Sequence, residues 1–140
     1  MKIVSPTGLG VRVDQEGSGY YNALRSGGRW HNGVDFLCIP GQPVKSPISG
    51  TVVRIARPYA NSDMSGVLIE NSDIAIKMFY FEPDPDFIGK DVKEGDVIGT
   101  AQNVARHYNS EGMKPHIHFE IFRINPLILL EVGEYGNNKI

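Results

Sequence analysis

The sequence predicts a mainly β fold, a curved antiparallel sheet whose long loops form the walls of a groove. Sixteen glycines and nine prolines separate short runs that have strand character. No amphipathic pattern longer than two helical turns is evident along the chain. Residues 117–122 alternate between apolar and polar side chains, which is the period of a strand with one buried face. Together these three observations favour an all-β domain.

The elements of this sheet follow one another in a simple order. Residues 1–30 are rich in glycine and serine and predict an irregular N-terminal arm that covers one side of the sheet. Runs bounded by turn residues then predict six strands. These strands are residues 33–37, 50–56, 66–70, 74–81, 97–101 and 116–122. Residues 102–114 form a second long connection, and connections of this length are commonly functional.

Two turn segments bend the predicted sheet. The sequences PVKSPISG at 43–50 and VKEGDVIG at 92–99 place proline and glycine around tight corners. Similar phrases occur in biotinyl and lipoyl carrier domains, so they favour an architecture like that of a barrel-sandwich hybrid rather than a function. A carrier would need a modifiable lysine at a hairpin tip. Lys77 lies within a predicted strand instead, which disfavours that function.

Composition limits the classes of protein to which the chain can belong. With 140 residues, 41% of them hydrophobic and 21% charged, we expect one domain over residues 1–140 that buries about two-thirds of its unfolded surface. A net charge of −2 disfavours nucleic acid and anionic membranes as partners. No apolar stretch resembles a signal peptide or a bilayer span, so we expect a soluble, complete chain. Location and oligomeric state stay open.

The single cysteine, Cys38, excludes an internal disulfide. It lies in an apolar run without a neighbouring cation, and a low thiol pKa requires such a neighbour or a similar electropositive environment. We therefore expect a buried, unreactive thiol.

Two histidines one residue apart, His116 and His118, lie on the last predicted strand. Because strand side chains alternate, both should share a face with Glu120, whereas the apolar residues 117, 119 and 121 should point into the core. Neighbours on one face stand roughly 6.6 Å apart, so one imidazole can ligate a metal while the other reaches the water bound to it. The alternative is a pair of hydrogen-bonded strand residues without a metal.

A second polar pair, His31 and Asp35, stands far upstream in the sequence. The intervening Asn32 and Gly33 favour a turn that enters a strand rather than a helix. On a strand, residues four apart share a face. The pair is therefore a candidate partner of the two downstream histidines, with a simple turn ion pair as the alternative.

Five segments in this order resemble the lysostaphin-type, LytM-like zinc endopeptidases that cut peptidoglycan cross-links. They are HNGVD at 31–35, SPISG at 46–50, VKEGD at 92–96, HIHFE at 116–120 and NP at 125–126. The resemblance spans roughly residues 20–130. It implies that His31, Asp35 and His118 ligate Zn²⁺, that His116 is catalytic, and that the substrate is a peptide of the bacterial cell wall. It also implies action facing the cell wall or outside the cell.

The chemistry implied by this ligand set is consistent with hydrolysis. Two imidazoles and a carboxylate leave the fourth position of a tetrahedral zinc site open. The pKa of a water bound there falls from ~16 towards ~7, which gives hydroxide at neutral pH. His116 could accept a proton from that water or orient it.

One position departs from the family pattern. The peptidases usually carry a further histidine in a Tyr-x-His phrase at the end of a strand, whereas residues 77–81 are KMFYF. Tyr80 could still donate a hydrogen bond to an oxyanion, and it is therefore a candidate catalytic residue, with core packing as the alternative. Losing one such stabiliser costs about 2.7–4 kcal/mol in the barrier.

The same KMFY run, with RPY at 57–59, also resembles the leukocyte cell-derived chemotaxin branch, whose members are regarded as zinc-binding signalling proteins. This resemblance implies an alternative function. The chain would then be a catalytically weakened or inactive zinc-binding module of the same fold, acting in binding or signalling.

Several side chains near these motifs have two interpretations. Trp30 and the pair Tyr20 and Tyr21 could line a groove for a peptide or glycan, or pack into the core. Arg25 and Arg29 could recognise a carboxylate of the substrate, or be solvated surface charges.

Two further residues are candidates for supporting roles. Glu120 could orient a ligand histidine or be simply exposed. His107 could partly substitute for the histidine that the family has and this chain lacks, or be a solvated loop residue.

Overall fold

The structure is a computed structural model that describes residues 3–130, and it is mainly β, as the sequence predicts. Its strands are β1 (Val13–Asp14), β2 (Gly17–Ser18), β3 (Val34–Leu37), β4 (Pro43–Lys45), β5 (Gly50–Ile55), β6 (Gly66–Glu70), β7 (Ile74–Phe79), β8 (Phe81–Pro83), β9 (Asp91–Val92), β10 (Val97–Ala101) and β11 (His116–Ile124). The helical segments are α1 (Val104–His107) and three 3-10 turns at Ser26–Gly28, Pro85–Phe87 and Pro126–Leu129. None of the helices in residues 3–130 has the length and apolar character needed to cross a bilayer.

Two antiparallel sheets contribute the core. The larger sheet has the strand order β3-β11-β7-β6-β5-β9, and the smaller has the order β4-β10-β8. One cluster of buried apolar side chains draws on both sheets. Its fully buried members include Ile69, Ile76 and Ile117 from the larger sheet and Val44, Phe81 and Ile98 from the smaller. Burying each such side chain contributes about 1.5–3 kcal/mol.

The predicted strand at 74–81 is interrupted at Tyr80, so the expectation of one continuous strand was wrong. Tyr80 has φ of 80°, in the left-handed region that bulky residues rarely adopt. Its N–H donates to the carbonyl of Ser65 (2.7 Å) and its carbonyl accepts from the N–H of Gln102 (2.9 Å). The chain passes from the larger sheet to the smaller at this residue. The pattern of apolar and polar residues does not indicate that the backbone of one residue in this run adopts a left-handed conformation.

The N-terminal arm covers the outer edge of β3. It is largely irregular apart from the short β1–β2 hairpin and the turn at 26–28. The N–H of Leu37 donates to the carbonyl of Gly10, that of Arg12 to the carbonyl of Asp35, and that of Asp35 to the carbonyl of Gly19, at 2.8–2.9 Å. The arm therefore satisfies backbone groups of a strand that would otherwise be an open sheet edge.

Strand β11 alternates as predicted only over its first half. Ile117 (0% exposed) and Phe119 (8%) lie in the core, but Ile121 is 43% exposed, so its expected burial was wrong. The pairing of β11 with β3 ends at Phe119, and the pairing with β7 shifts register between Ile121 and Arg123. Beyond Phe119 the strand therefore lies at the sheet edge with a bulge, and the strict alternation is lost.

Cys38 follows β3 and is buried, as the sequence predicts. Burial raises the pKa of its thiol to about 12. The thiol is therefore protonated at neutral pH and is not a nucleophile.

Candidate metal centre

The pairing of β3 with β11 brings Asp35 and His118 together. The two residues are directly opposite in the antiparallel register, so their side chains project from the same face of the sheet. Nδ1 of His118 lies 3.0 Å from Oδ1 of Asp35. His31, just before β3, contributes Nε2 at 3.2 Å from both of these atoms. All three side chains are buried.

The spacing of these three atoms fits a tetrahedral metal site. Two ligand atoms that are each about 2.1 Å from a tetrahedral ion stand roughly 3.4 Å apart. The observed separations of 3.0–3.2 Å are slightly shorter, so a small outward movement would accommodate zinc. Two imidazoles and one carboxylate are also the donor types of a hydrolytic zinc site.

Gly33 makes this convergence possible. A Cβ atom at position 33 would lie 2.8 Å from Cε1 of His118 and nearer still to the backbone carbonyl of Phe119. Any side chain there would push β11 away from the turn that carries His31. The glycine in the HNGVD motif is therefore explained by close packing against a candidate ligand.

Each candidate ligand is held from behind by a second polar group. Nδ1–H of His31 donates to the carbonyl of Tyr20 (3.0 Å), which leaves Nε2 facing the centre. Nε2 of His118 bonds to Oε1 of Glu120 (3.1 Å), as expected for an orienting carboxylate. Partners of this kind fix the ring orientation of a metal-binding histidine and raise its basicity.

The centre is strongly coupled electrostatically. Burial opposes charge on His118, but its hydrogen bonds to Asp35 and Glu120 outweigh this and raise its pKa to about 9. Burial likewise opposes charge on Asp35, yet hydrogen bonds from His118 and His31 hold the pKa of Asp35 far below its ordinary value. Asp35 is therefore ionised at any physiological pH and available to a cation.

A buried ion-pair network, which the sequence analysis did not identify, supports Asp35. Arg12 is 4% exposed, and its Nη2 lies 3.3 Å from Oδ2 of Asp35. Its Nη1 lies 2.8 Å from both carboxylate oxygens of Asp14. Asp14 also accepts the backbone N–H of Lys114 at 2.8 Å. Arg12 has no distinctive sequence signal, because its role arises only when the arm packs against β3.

His116 adjoins the three candidate ligands. Its Nδ1–H donates to the carbonyl of Lys114 (2.8 Å), and its Nε2 lies 3.7 Å from Oδ2 of Asp35. Burial lowers the pKa of His116, even though the charge of Asp35 acts in the opposite direction. The ring is therefore neutral at pH 7 and presents the lone pair of Nε2 to the centre.

Tyr80 packs against the core and also lines the cleft, and its catalytic role stays a prediction. Its ring meets that of His116 edge to face, with centroids 5.5 Å apart. Its hydroxyl lies 3.0 Å from that of Tyr59, which is in turn hydrogen-bonded to Tyr108. Burial raises the pKa of Tyr80. The phenol therefore stays protonated and can act as a donor.

His107 takes no part in this centre. It lies in α1, is exposed, and stacks on the ring of Tyr59 with centroids 5.3 Å apart. His107 is thus exposed, as expected of a solvated residue, but it lies in a short helix rather than in a loop. Tyr59 and Tyr108 are the residues that sequence reasoning missed here, since neither belongs to a motif with metal chemistry.

A cleft of about 780 Å³ opens over the centre. Trp30 is 63% exposed and lines this cleft, so it is a groove residue rather than a core residue. Tyr20 and Tyr21 are also exposed, at 57% and 64%, but their side chains are not part of the cleft wall. Arg25 and Arg29 line it with Trp30.

Fold and site together define a class of protein. Residues 29–128 match the family model described as peptidase family M23, and the chain therefore belongs to that family. The resemblance to lysostaphin-type peptidases seen in the sequence is confirmed.

The proteins to which the chain is similar include a chemotaxin and peptidases. Leukocyte cell-derived chemotaxin-2 of Bos taurus is 36% identical over 76% of this chain and 69% of its own length. A zinc-containing peptidase from Vibrio cholerae is 26% identical, with a TM-score of 0.59 over 86% of this chain but only 36% of that chain. The catalytic domain of lysostaphin from Staphylococcus simulans is similar in fold, with 24% identity and a TM-score of 0.53 over 84% of this chain and 90% of that domain.

Proposed function

We propose that this protein is a zinc-dependent endopeptidase that hydrolyses peptide cross-links of bacterial peptidoglycan, acting at the cell wall or outside the cell. The observation that carries the proposal is the convergence of His31, Asp35 and His118 at separations suited to zinc, beneath an open cleft. Membership of the M23 family and the similarity to a zinc-containing peptidase support it. In this proposal the three side chains are the zinc ligands.

The residues around the centre have complementary roles in this proposal. Zinc, when bound, supplies a water of lowered pKa and a charge that polarises the scissile carbonyl. His116 is neutral and directs Nε2 towards the centre, so it accepts the proton of the attacking water. The carbonyl of Lys114 holds the ring in the required tautomer. The proton can then pass from His116 to the amine that leaves.

Tyr80 acts as the hydrogen-bond donor to the developing oxyanion. Its hydroxyl stays protonated, and Tyr59 can donate to its oxygen, which leaves the proton of Tyr80 free for the substrate. A phenol of this kind stabilises negative charge without itself becoming a cationic acid. This predicts slower hydrolysis than a histidine would give at the same position.

The test uses purified cell-wall sacculi and synthetic cross-bridge peptides. We expect chelator-treated protein to lose cleavage activity and to regain it with zinc. His116→Ala should keep its zinc and lose roughly 100-fold or more in rate, because general-base catalysis contributes about 10²–10⁴-fold. Undiminished cleavage by His116→Ala would contradict the role of this residue, and unchanged cleavage after metal removal would contradict the proposal itself.

A second candidate function is favoured by Tyr80 and by the 36% identity to leukocyte cell-derived chemotaxin-2. In this alternative, the same centre holds zinc for structure or ligand recognition, and catalysis is weak or lost. A Tyr80→His variant separates the two. Cleavage gained by that variant and absent from the parent supports the binding module, whereas measurable zinc-dependent cleavage by the parent, even if slower than that of the variant, supports the enzyme.

A further inference from the structure

The cleft over the metal centre is unusually rich in arginine. Arg12, Arg25, Arg29 and Arg57 line it, whereas Asp35 is the only carboxylate among the lining residues that fall within 3–130. The protein as a whole has a net charge of −2, so this positive charge is concentrated locally.

Arg25 and Arg29 are held side by side by a tight loop. Leu24 and Trp30 form an antiparallel bridge, and the next pair inward is joined by the N–H of Arg25 and the carbonyl of Arg29 at 2.7 Å. Directly opposite residues project from the same face, and both of these side chains line the cleft.

Within the part of the chain that the structure describes, neighbouring carboxylates neutralise only part of the positive charge on this wall. Arg25 Nη2 is 3.5 Å from Oδ2 of Asp35, an oxygen that Arg12 already occupies at 3.3 Å. Within residues 3–130, neither Arg29 nor Arg57 forms an ion pair. Both are exposed, and they come from different connections in the chain. The guanidinium groups of Arg29 and Arg57 are therefore available to a ligand in the cleft.

We propose that the cleft selects peptides that carry a carboxylate close to the metal centre, and that Arg25, Arg29 and Arg57 bind this carboxylate. Guanidinium groups recognise carboxylates through paired, charge-assisted hydrogen bonds. The protein's overall negative charge disfavours a long polyanion, which would also contact acidic surface outside the cleft. The inference rests on the proposed peptidase function and specifies its substrate class.

The test compares matched dye-labelled, glycine-rich peptides with the zinc-loaded protein. One pair differs by Glu against Gln at an internal position, and a second pair by a free carboxylate against an amide at the C terminus. Fluorescence anisotropy measures binding, and mass spectrometry measures cleavage. We expect the carboxylate to increase affinity roughly 10-fold or more in at least one pair, and less at high salt. The pair that responds shows whether a side chain or a chain terminus is recognised.

Variants then assign the effect to the cleft. Arg29→Gln combined with Arg57→Gln should abolish the preference, so that the acidic and neutral peptides bind with equal affinity. Neither residue touches a candidate metal ligand in the structure. Arg54→Gln is the matched control, because Arg54 is exposed on β5 and does not line the cleft.

The outcomes separate this inference from the proposed function. Equal binding of acidic and neutral peptides overturns the inference, even if both are cleaved and the peptidase is thereby supported. Selective binding without cleavage of any peptide supports the carboxylate site and counts against hydrolysis. Tighter binding of a sulfated oligosaccharide than of every acidic peptide, or an equal loss in Arg54→Gln, also overturns the inference.

Discussion

At Asp35 the two carboxylate oxygens have different neighbours. Oδ1 faces His31 and His118, whereas Oδ2 faces Arg12 and Arg25. The guanidinium groups at Oδ2 leave Oδ1 as the oxygen that is available to a metal in the proposed site. The different environments of the two oxygens depend on individual hydrogen bonds, so single substitutions test the role of each bond.

Glu120 provides the first test at this scale. Its Oε1 bonds to Nε2 of His118, so Glu120→Gln should reduce the basicity and fixed orientation of that ring. Loss of a carboxylate behind a ligand histidine costs about 10–100-fold in metal affinity. We expect a reduction of this size when zinc is titrated in competition with a chromophoric chelator.

Glu82→Gln is the control for this measurement, because Glu82 is exposed on β8 and lies outside the centre. Equal zinc affinities for the Glu120 and Glu82 variants would contradict a supporting role for Glu120.

The sequence predicted the residues of the centre better than their surroundings. His31, Asp35, His116 and His118 lie in motifs whose spacing has chemical meaning, and the structure brings all four together. The tyrosine hydroxyls beside Tyr80 belong to no such motif, because they meet only through tertiary packing. A sequence motif indicates which residues share a chemical role. A residue that joins the site from a distant loop has no such pattern in its own sequence.

At the scale of elements, the N-terminal arm is part of the site. Arg12 and Asp14 link the arm to Asp35 on β3 and to the backbone of Lys114 just before β11. The carbonyl of Lys114 in turn accepts a hydrogen bond from His116. One buried ion pair therefore connects the segments that carry a candidate ligand and the candidate base.

We expect Arg12→Met to be strongly destabilising. The substitution would leave the carboxylate of Asp14 buried without its cation and would remove one of the two guanidinium groups beside Asp35, and breaking a buried pair from one side costs about 3–5 kcal/mol. Chemical denaturation of the metal-free protein measures the change in the free energy of unfolding.

The matched control is Arg123→Met, which removes an ion pair to Glu70 in which both side chains are largely exposed (63% and 42%). Exposed pairs contribute about 0–1 kcal/mol. If the two variants were equally stable, the buried network would have no structural importance.

The boundaries of a strand could be predicted where local sequence sets them, but not where pairing with a distant segment sets them. The strands at 66–70 and 97–101 were predicted without error, because their patterns end at clear turn residues. The hairpin of the arm and the short strands β4 and β9 were not predicted as strands. Segments of two or three residues become strands only through their pairing partners, so their own sequence holds little information.

At the scale of the whole molecule, the centre couples stability to pH. The folded-state pKa of His118 is about 9, above its ordinary value of 6.5. The stability that its proton contributes is therefore fully present below pH ~6.5 and is lost as the pH rises through about 9. The pKa of Asp35 is shifted downwards, so its contribution is present above pH ~4 and is lost on acidification.

We therefore expect the metal-free protein to be less stable at pH 9.5 than at pH 6.5, by at most about 3 kcal/mol. Thermal or denaturant unfolding at the two pH values measures this difference. His118→Asn should abolish most of it, and an unchanged pH dependence in that variant would assign the effect to other groups. Zinc binding displaces the proton, so zinc-loaded protein should resist the alkaline loss.

Tyr80 ends one sheet and begins the other while its backbone stays in the left-handed region. Histidine is among the residues that tolerate this conformation better than most, whereas β-branched residues are excluded by it. A phenol and an imidazole can therefore be exchanged here without rerouting the chain. A single substitution at this residue therefore changes which side chain faces the cleft without changing the path of the backbone between the two sheets.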